Sequence, residues 1–475
     1  MRTLIALTTL AVLISPMIGR GESPTDSATP IADRYRADAR RIVDAALAGN
    51  DAWRKMEELC DDIGPRLSGS PQLEKAIRWA ADAMKRDGQE NVRIEKVMVP
   101  HWVRGKESCT MLTPRSHEIA MLGLGGSVGT PPEGITAPVI VIHDDEELEA
   151  RAAEVRGKIV LFNQAMPQYD PEKGSGYGTG VHYRVHGARK AAEHGAVACL
   201  ARSATAVSLH TPHTGAMRYG DAKVKIPAAA VSLEDATFIA RLRKRGVPVT
   251  VNLRMEARTF SDGESGNVIG ELRGRTNPEE VVVIGGHIDS WDVGTGAHDD
   301  GGGCVMAMEA INVLRKLGLR PRRTIRVVLF TNEENGLAGG RAYAADHKNE
   351  LANHVAAIES DSGVFRPKGY TIDCEDEARE GVAVKQMNDI LSLLSSIGEM
   401  EASAGGSGAD VGPMKSGGVV LMGHHVEGST YFNYHHTHAD TLDKVDPVEL
   451  SQNVAMLATV AYILADMPGR IGDSR

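Results

Sequence analysis

The sequence predicts a mixed α/β fold, a mostly parallel sheet flanked by helices, with a β-rich module inserted into it. Three observations carry that reading. Four apolar runs, at 281–284, 324–330, 355–358 and 419–422, are continuous and are separated by helical stretches, the pattern of parallel strands covered on both faces. From about 114 to 255 the chain changes to short β runs, such as Pro138-Val139-Ile140-Val141-Ile142 and Lys158-Ile159-Val160-Leu161-Phe162, separated by glycine-rich turns. The length of 475 residues suits two or more domains with sizeable cores.

In chain order, Arg2 followed by apolar residues from Leu4 to Ile14 and then Pro16 reads as a signal peptide over 1–21. Pro16 ends the run short of the roughly 18 apolar residues a membrane span requires, and no later segment reads as a span. The expected destination is therefore outside the cytoplasm, secreted or periplasmic. Helical patterning begins near Ile31. The clearest helix has Ser70 as N-cap, Pro71 at its first position, Leu73, Ile77, Ala80 and Met84 on one face, and Gly88 past its end. A strand at 91–99 should stop at Pro100, and one helix is expected in the module near 188–194. The resulting division is 31–113, an insert at 114–258, and 259–475. Five scattered cysteines form no Cys-x-x-Cys pair; most should be buried small hydrophobes, with Cys304 the leading free thiol.

Composition removes several function classes. The 53 Lys plus Arg against 63 Asp plus Glu give a net charge of -10, and no basic run interleaved with aromatics appears, so a nucleic-acid partner is not expected. Aromatics are only 4%, which disfavours a carbohydrate-stacking module. Normal apolar content with unperiodic Gly and Pro excludes collagen-like and disordered chains.

Three of the four strands run directly into groups a core would not tolerate unpaired. The first leads to Gly285-Gly286-His287-Ile288-Asp289, the second to Glu333-Glu334, the third to Glu359-Ser360-Asp361. Ligand crevices of open α/β sheets lie at the carboxyl ends of the strands, so these segments share one rim. Asp299-Asp300, among glycines, and His435-His436-Thr437-His438-Ala439-Asp440 add two more pieces. Histidines with a surplus of carboxylates suit zinc, and the surplus suits two ions sharing a bridge. In extended backbone Glu333 and Glu334 would point to opposite sides, so that one could hold metal while the other faces water. The glycine-rich stretch Gly174-Ser175-Gly176-Tyr177-Gly178 lacks the setting of a nucleophile elbow and reads as a turn.

The run Gly286-His287-Ile288-Asp289-Ser290-Trp291-Asp292, continuing to Asp299-Asp300-Gly301-Gly302-Gly303, resembles the di-zinc exopeptidases that include bacterial leucyl aminopeptidase and glutamate carboxypeptidase. Upstream Ile63-Gly64-Pro65-Arg66-Leu67-Ser68-Gly69-Ser70 and downstream Thr331-Asn332-Glu333-Glu334 extend the match over nearly all of the mature chain. The resemblance implies the zinc exopeptidase fold with a protease-associated domain as the insert, and two Zn2+ per chain. One ion would be held by His287 and Asp361 and the other by Glu334 and His436, with Asp299 bridging. Glu333 would be the general base, and Asp289 a carboxylate supporting His287 or the site around it. His435 and His438 remain substrate contacts or bystanders, and Asp410 a substrate-amine contact or a turn residue within 405–410. The implied substrates are short peptides, above all dipeptides; a homodimer is implied as well. The alternatives are an aminopeptidase on longer peptides, a non-catalytic transferrin-receptor-like scaffold, and a single-zinc acyltransferase resembling glutaminyl cyclase.

Overall fold

The computed structural model describes residues 30–171 and 173–474; the proposed signal peptide lies outside the described residues. Two eight-stranded sheets organise the chain. The first runs in the order Glu90–Val103, Arg258–Leu272, Arg323–Phe330, Asn277–His287, His354–Glu359, Val420–Val426, Pro367–Asp373, Glu401–Ala404. Its middle four strands are mutually parallel neighbours, and the four continuous apolar runs fall on them, the last starting one residue before its strand, at Val419. Complete burial explains why these runs do not alternate: every residue of Arg323–Phe330 and of His354–Glu359 is buried.

The helix Pro71–Arg86 begins as its sequence requires, with the Ser70 hydroxyl accepting from the Leu73 N–H at 3.1 Å. Ser70→Ala should cost about 1 kcal/mol of unfolding free energy, readable as a lower urea midpoint. The strand expected to stop at Pro100 continues to Val103. Pro100 is tolerated because this is the edge strand, and the register with Arg258–Leu272 shifts between Val99 and His101. The helix Pro447–Asp466 corrects another expectation: it is long and apolar enough to cross a membrane, yet 78% of its apolar window is buried inside the protein. It packs on the helix Gly302–Lys316 as a core element, which explains its uniform hydrophobicity.

The second sheet is built from residues 107–255 and begins before the change of composition at 114. Glu107–Thr113 pairs antiparallel with Thr250–Met255 after the chain turns at Gly105, whose φ is +68°. Ile135–Ile142, Ile159–Phe162, Ala198–Arg202 and Ala228–Val231 form a parallel run. The module is accordingly α/β, with helices at Asp145–Ala150, His182–Glu193 and Leu233–Lys244, so the helix expected at 188–194 starts earlier. Trp291, from the loop after the strand Asn277–His287, is buried in this module's core with Leu67 and Trp102. Gly125 admits the indole: a Cβ there would lie 2.1 Å from the ring. All five cysteines are free and buried.

Candidate metal centre

His287 ends the strand Asn277–His287, Glu333 and Glu334 lie in the turn after Arg323–Phe330, and Asp361 follows His354–Glu359. Because these three strands are parallel neighbours, their side chains meet at one sheet edge. Asp299 enters from the loop before the helix Gly302–Lys316, and His435 and His436 from the loop after Tyr431–Tyr434.

Asp299 sits between two groups of donors. Its Oδ1 lies 3.2 Å from His287 Nε2, which is 3.5 Å from Asp361 Oδ1. Its Oδ2 lies 3.2 Å from His436 Nε2, which is 3.0 Å from Glu334 Oε2. Asp299 Oδ2 and Glu334 Oε1 are buried without a hydrogen-bond partner among the described residues. Burial and then repulsion from Asp299 push Glu334 up to about 7, and burial likewise raises Glu333 well above the usual carboxylate range. Against the cost of burial, the neighbouring His287 and His436 imidazoles hold Asp299 well below that range. Crowded carboxylates and imidazoles with unpartnered oxygens form a donor set suited to a divalent cation that accepts N and O ligands, such as zinc.

The surrounding contacts fix which atoms face inward. His287 Nδ1 is 3.0 Å from the Asp289 carbonyl oxygen and His436 Nδ1 is 3.1 Å from that of Thr214, so each imidazole directs Nε2 at Asp299. The Asp289 carboxylate lies farther from His287 Nδ1, at 3.8 Å. It accepts the Glu333 and Glu334 backbone N–H groups, at 3.0 and 3.3 Å, and anchors their turn. That turn corrects the extended geometry expected for the two glutamates: both face the same cleft, with Glu334 against His436. Buried Arg66 donates to the carbonyls of Ile288, Thr295 and Gly296, at 2.6, 2.6 and 3.0 Å, and shapes the loop between His287 and Asp299. Asp440 accepts the N–H groups of His298 and Asp299, and Asp300 those of His287 and Gly303. Gly286 clears space for Asp300, whose Oδ2 would lie 2.0 Å from a Cβ there.

A cleft of about 980 Å³ opens over Asp299, Glu333, Glu334, Asp361, His435 and His436. Its opposite wall comes from the second module, through Tyr169, Gly174, Tyr177, Arg184 and Arg218. The glycine-rich stretch read as a plain turn thus borders the site. His438 is exposed and does not line the cleft. Asp410 is fully buried, accepts the Gly340 N–H at 3.2 Å and does not line the cleft either, so it is a turn residue beneath the surface. Thr214, Tyr177 and Arg184 escaped sequence reasoning because only tertiary contact brings them here. Arg66 was visible within a motif, but its support of the loop between His287 and Asp299 was not.

Residues 267–461 match Peptidase family M28. The chain is 42% identical to mouse carboxypeptidase Q over 436 residues, covering 91% of this chain and 90% of that protein. It belongs to peptidase family M28. A solved M28 peptidase precursor from Shewanella amazonensis, 35% identical, superposes with a TM-score of 0.87 over 92% of this M28 chain and 98% of that one. That coverage includes both sheets, so their arrangement is shared. A zinc aminopeptidase from Bacillus subtilis, 20% identical, shares the M28 fold with a TM-score of 0.64 over 89% of this chain and 96% of that one.

Proposed function

We propose that this M28 peptidase is a secreted zinc-dependent exopeptidase that holds two zinc ions and hydrolyses short peptides, dipeptides first. The observation that carries the reading is Asp299, whose two oxygens face separate His and carboxylate groups on the floor of one cleft. His287 and Asp361 would hold one ion, Glu334 and His436 the other, with Asp299 shared. Bound there, two zinc ions would supply a water of lowered pKa and polarise the scissile carbonyl. Glu333 lines the cleft, and its carboxylate has no hydrogen-bond partner among the described residues, so it is free to take the attacking water's proton and deliver it to the departing amine. The assembled donor set disfavours a non-catalytic scaffold, and the second group of donors disfavours a single-zinc enzyme. Secretion is supported by the apolar segment following Arg2.

Charge supports the dipeptide preference. Apart from the acidic groups at Asp299, the charged side chains lining the cleft among the described residues are Arg184, Arg218 and Arg341. Arginines suit a free terminal carboxylate, while the carboxylates around the metal positions suit a free amine. The wall formed by the second module faces that floor and suits a short occupant. We expect a free dipeptide to be cut, and N-acetylation or C-amidation each to lower kcat/KM roughly 10-fold or more, the scale of one lost charge-assisted hydrogen bond. Preferential cleavage of the amidated form would make the enzyme an aminopeptidase, and of the acetylated form a carboxypeptidase on longer chains. The implied homodimer is checked by sizing the purified protein.

A further inference from the structure

His435 and His436 are stacked, with ring centroids 3.6 Å apart and planes 17° from parallel, yet their surroundings assign them opposite tautomers. A neutral imidazole carries one proton. On His436, Nδ1 lies 3.1 Å from the Thr214 carbonyl and 3.4 Å from the Arg184 guanidinium; the nearer carbonyl takes the proton, which leaves the Nε2 lone pair for a metal. His435 Nδ1 is buried and has no partner among the described residues. Nε2 faces Asp299 Oδ2 at 3.7 Å, beyond hydrogen-bond distance, so a proton placed on Nε2 points at the cleft floor and is not already engaged. Ligation through Nε2 would require the proton on Nδ1, as a buried N–H with nothing to accept it. The ring is 6% exposed and is held edge-on by Tyr177 of the second module and by Phe432, each 5.1 Å away between centroids.

We infer that His435 is a catalytic residue whose Nε2–H donates to the scissile carbonyl oxygen as that oxygen becomes negative. The inference rests on the exopeptidase reading above. When water's oxygen bonds to the carbonyl carbon, the C=O π pair moves onto the carbonyl oxygen and Glu333 holds the proton lost by the water. Collapse restores the C=O bond, breaks the C–N bond and sends the proton on Glu333 to the amine nitrogen. His435 keeps its own proton throughout and stabilises the oxyanion by a fixed hydrogen bond. A preorganised donor of this kind is worth about 10²–10³ in kcat.

The test compares wild type with His435→Phe, which keeps the stack without a donor, and His435→Gln, which offers an amide N–H. Zinc per chain, kcat and KM on a free dipeptide, and inhibition by a phosphinic dipeptide analogue are measured together. We expect both variants to retain wild-type zinc. In His435→Phe, kcat should fall about 10²-fold or more with KM little changed, the phosphinate weakening in parallel, and His435→Gln should recover part of the loss. Loss of zinc in both variants would make His435 a ligand, and unchanged kcat would make it a bystander; either overturns the inference while leaving the exopeptidase reading intact. A wild type that holds zinc but cuts no dipeptide would overturn the reading first, and the inference with it.

Discussion

Glu333→Gln is expected to lower kcat about 10³-fold while zinc content and folding stay at wild-type levels. The glutamate's backbone N–H, bound to Asp289 at 3.0 Å, is untouched by the substitution, so the turn that also carries Glu334 keeps its anchor. Glutamine matches the shape of glutamate but cannot accept and return a proton, and general-base catalysis contributes typically 10²–10⁴-fold. Folding should not suffer, because burial and the neighbouring Asp361 and Glu334 already oppose charge on Glu333, and the neutral amide relieves that repulsion. Steady-state kinetics on a free dipeptide, with zinc counted by atomic absorption, give the result. Near-wild-type turnover in the variant would remove Glu333 from the proton path. Zinc loss at unchanged stability would instead make it a ligand.

The parallel heart of the fold was legible because buried strands leave a signal that position alone does not blur. Each run at 281–284, 324–330, 355–358 and 419–422 is buried on both faces, so none alternates, and all four proved to be adjacent. The residues around Asp299 were legible for a related reason: carboxylates and histidines placed directly after such strands must share one rim. What sequence alone missed depends on contacts between distant segments. Glu107–Thr113 carries no compositional mark of its sheet, since its partner Thr250–Met255 lies across the whole module. Thr214 acts through a backbone carbonyl, which any residue type supplies, so its identity gave no hint that it orients His436. Asp289 was noticed as a carboxylate close to His287, but its own carbonyl oxygen had already taken the imidazole N–H, which left the side chain for the Glu333-Glu334 turn.

The second module borders the proposed metal centre directly. It contributes the Thr214 carbonyl behind His436, the Tyr177 ring against His435, and two of the three arginines in the cleft. Arg184 shows how closely the two parts are fitted: its guanidinium donates to the Tyr177 hydroxyl of its own module at 2.8 Å and lies 3.4 Å from His436 Nδ1 across the cleft. Exchange of this module between relatives would therefore alter the orientation of His436, a proposed zinc ligand, as well as the wall of the cleft.

Asp299→Asn should affect both metal positions at once, because the two oxygens of Asp299 face separate groups of donors. The backbone N–H of residue 299 remains bound to Asp440 at 3.1 Å, so the loop keeps its course, but the amide removes the shared charge and replaces one oxygen by a donor NH₂. Whichever way the amide turns, one of the two groups of donors faces an N–H in place of a lone pair. The expected result, in a chelator competition followed by zinc counting, is a coordinated fall in affinity for both ions. The fall should exceed the roughly 10–100-fold that outer partners such as the Thr214 carbonyl contribute, and peptidase activity should be lost with it. Asp361→Asn is the control, since its carboxylate is grouped with His287, 3.5 Å away, and Asp299 on one side of the centre, and its loss should weaken one ion and spare the other. A full-affinity zinc retained by Asp299→Asn would show that the positions are filled independently. The two oxygens of Asp299 would then be serving neighbouring sites without coupling them, and the proton path through Glu333 would have to operate at one ion.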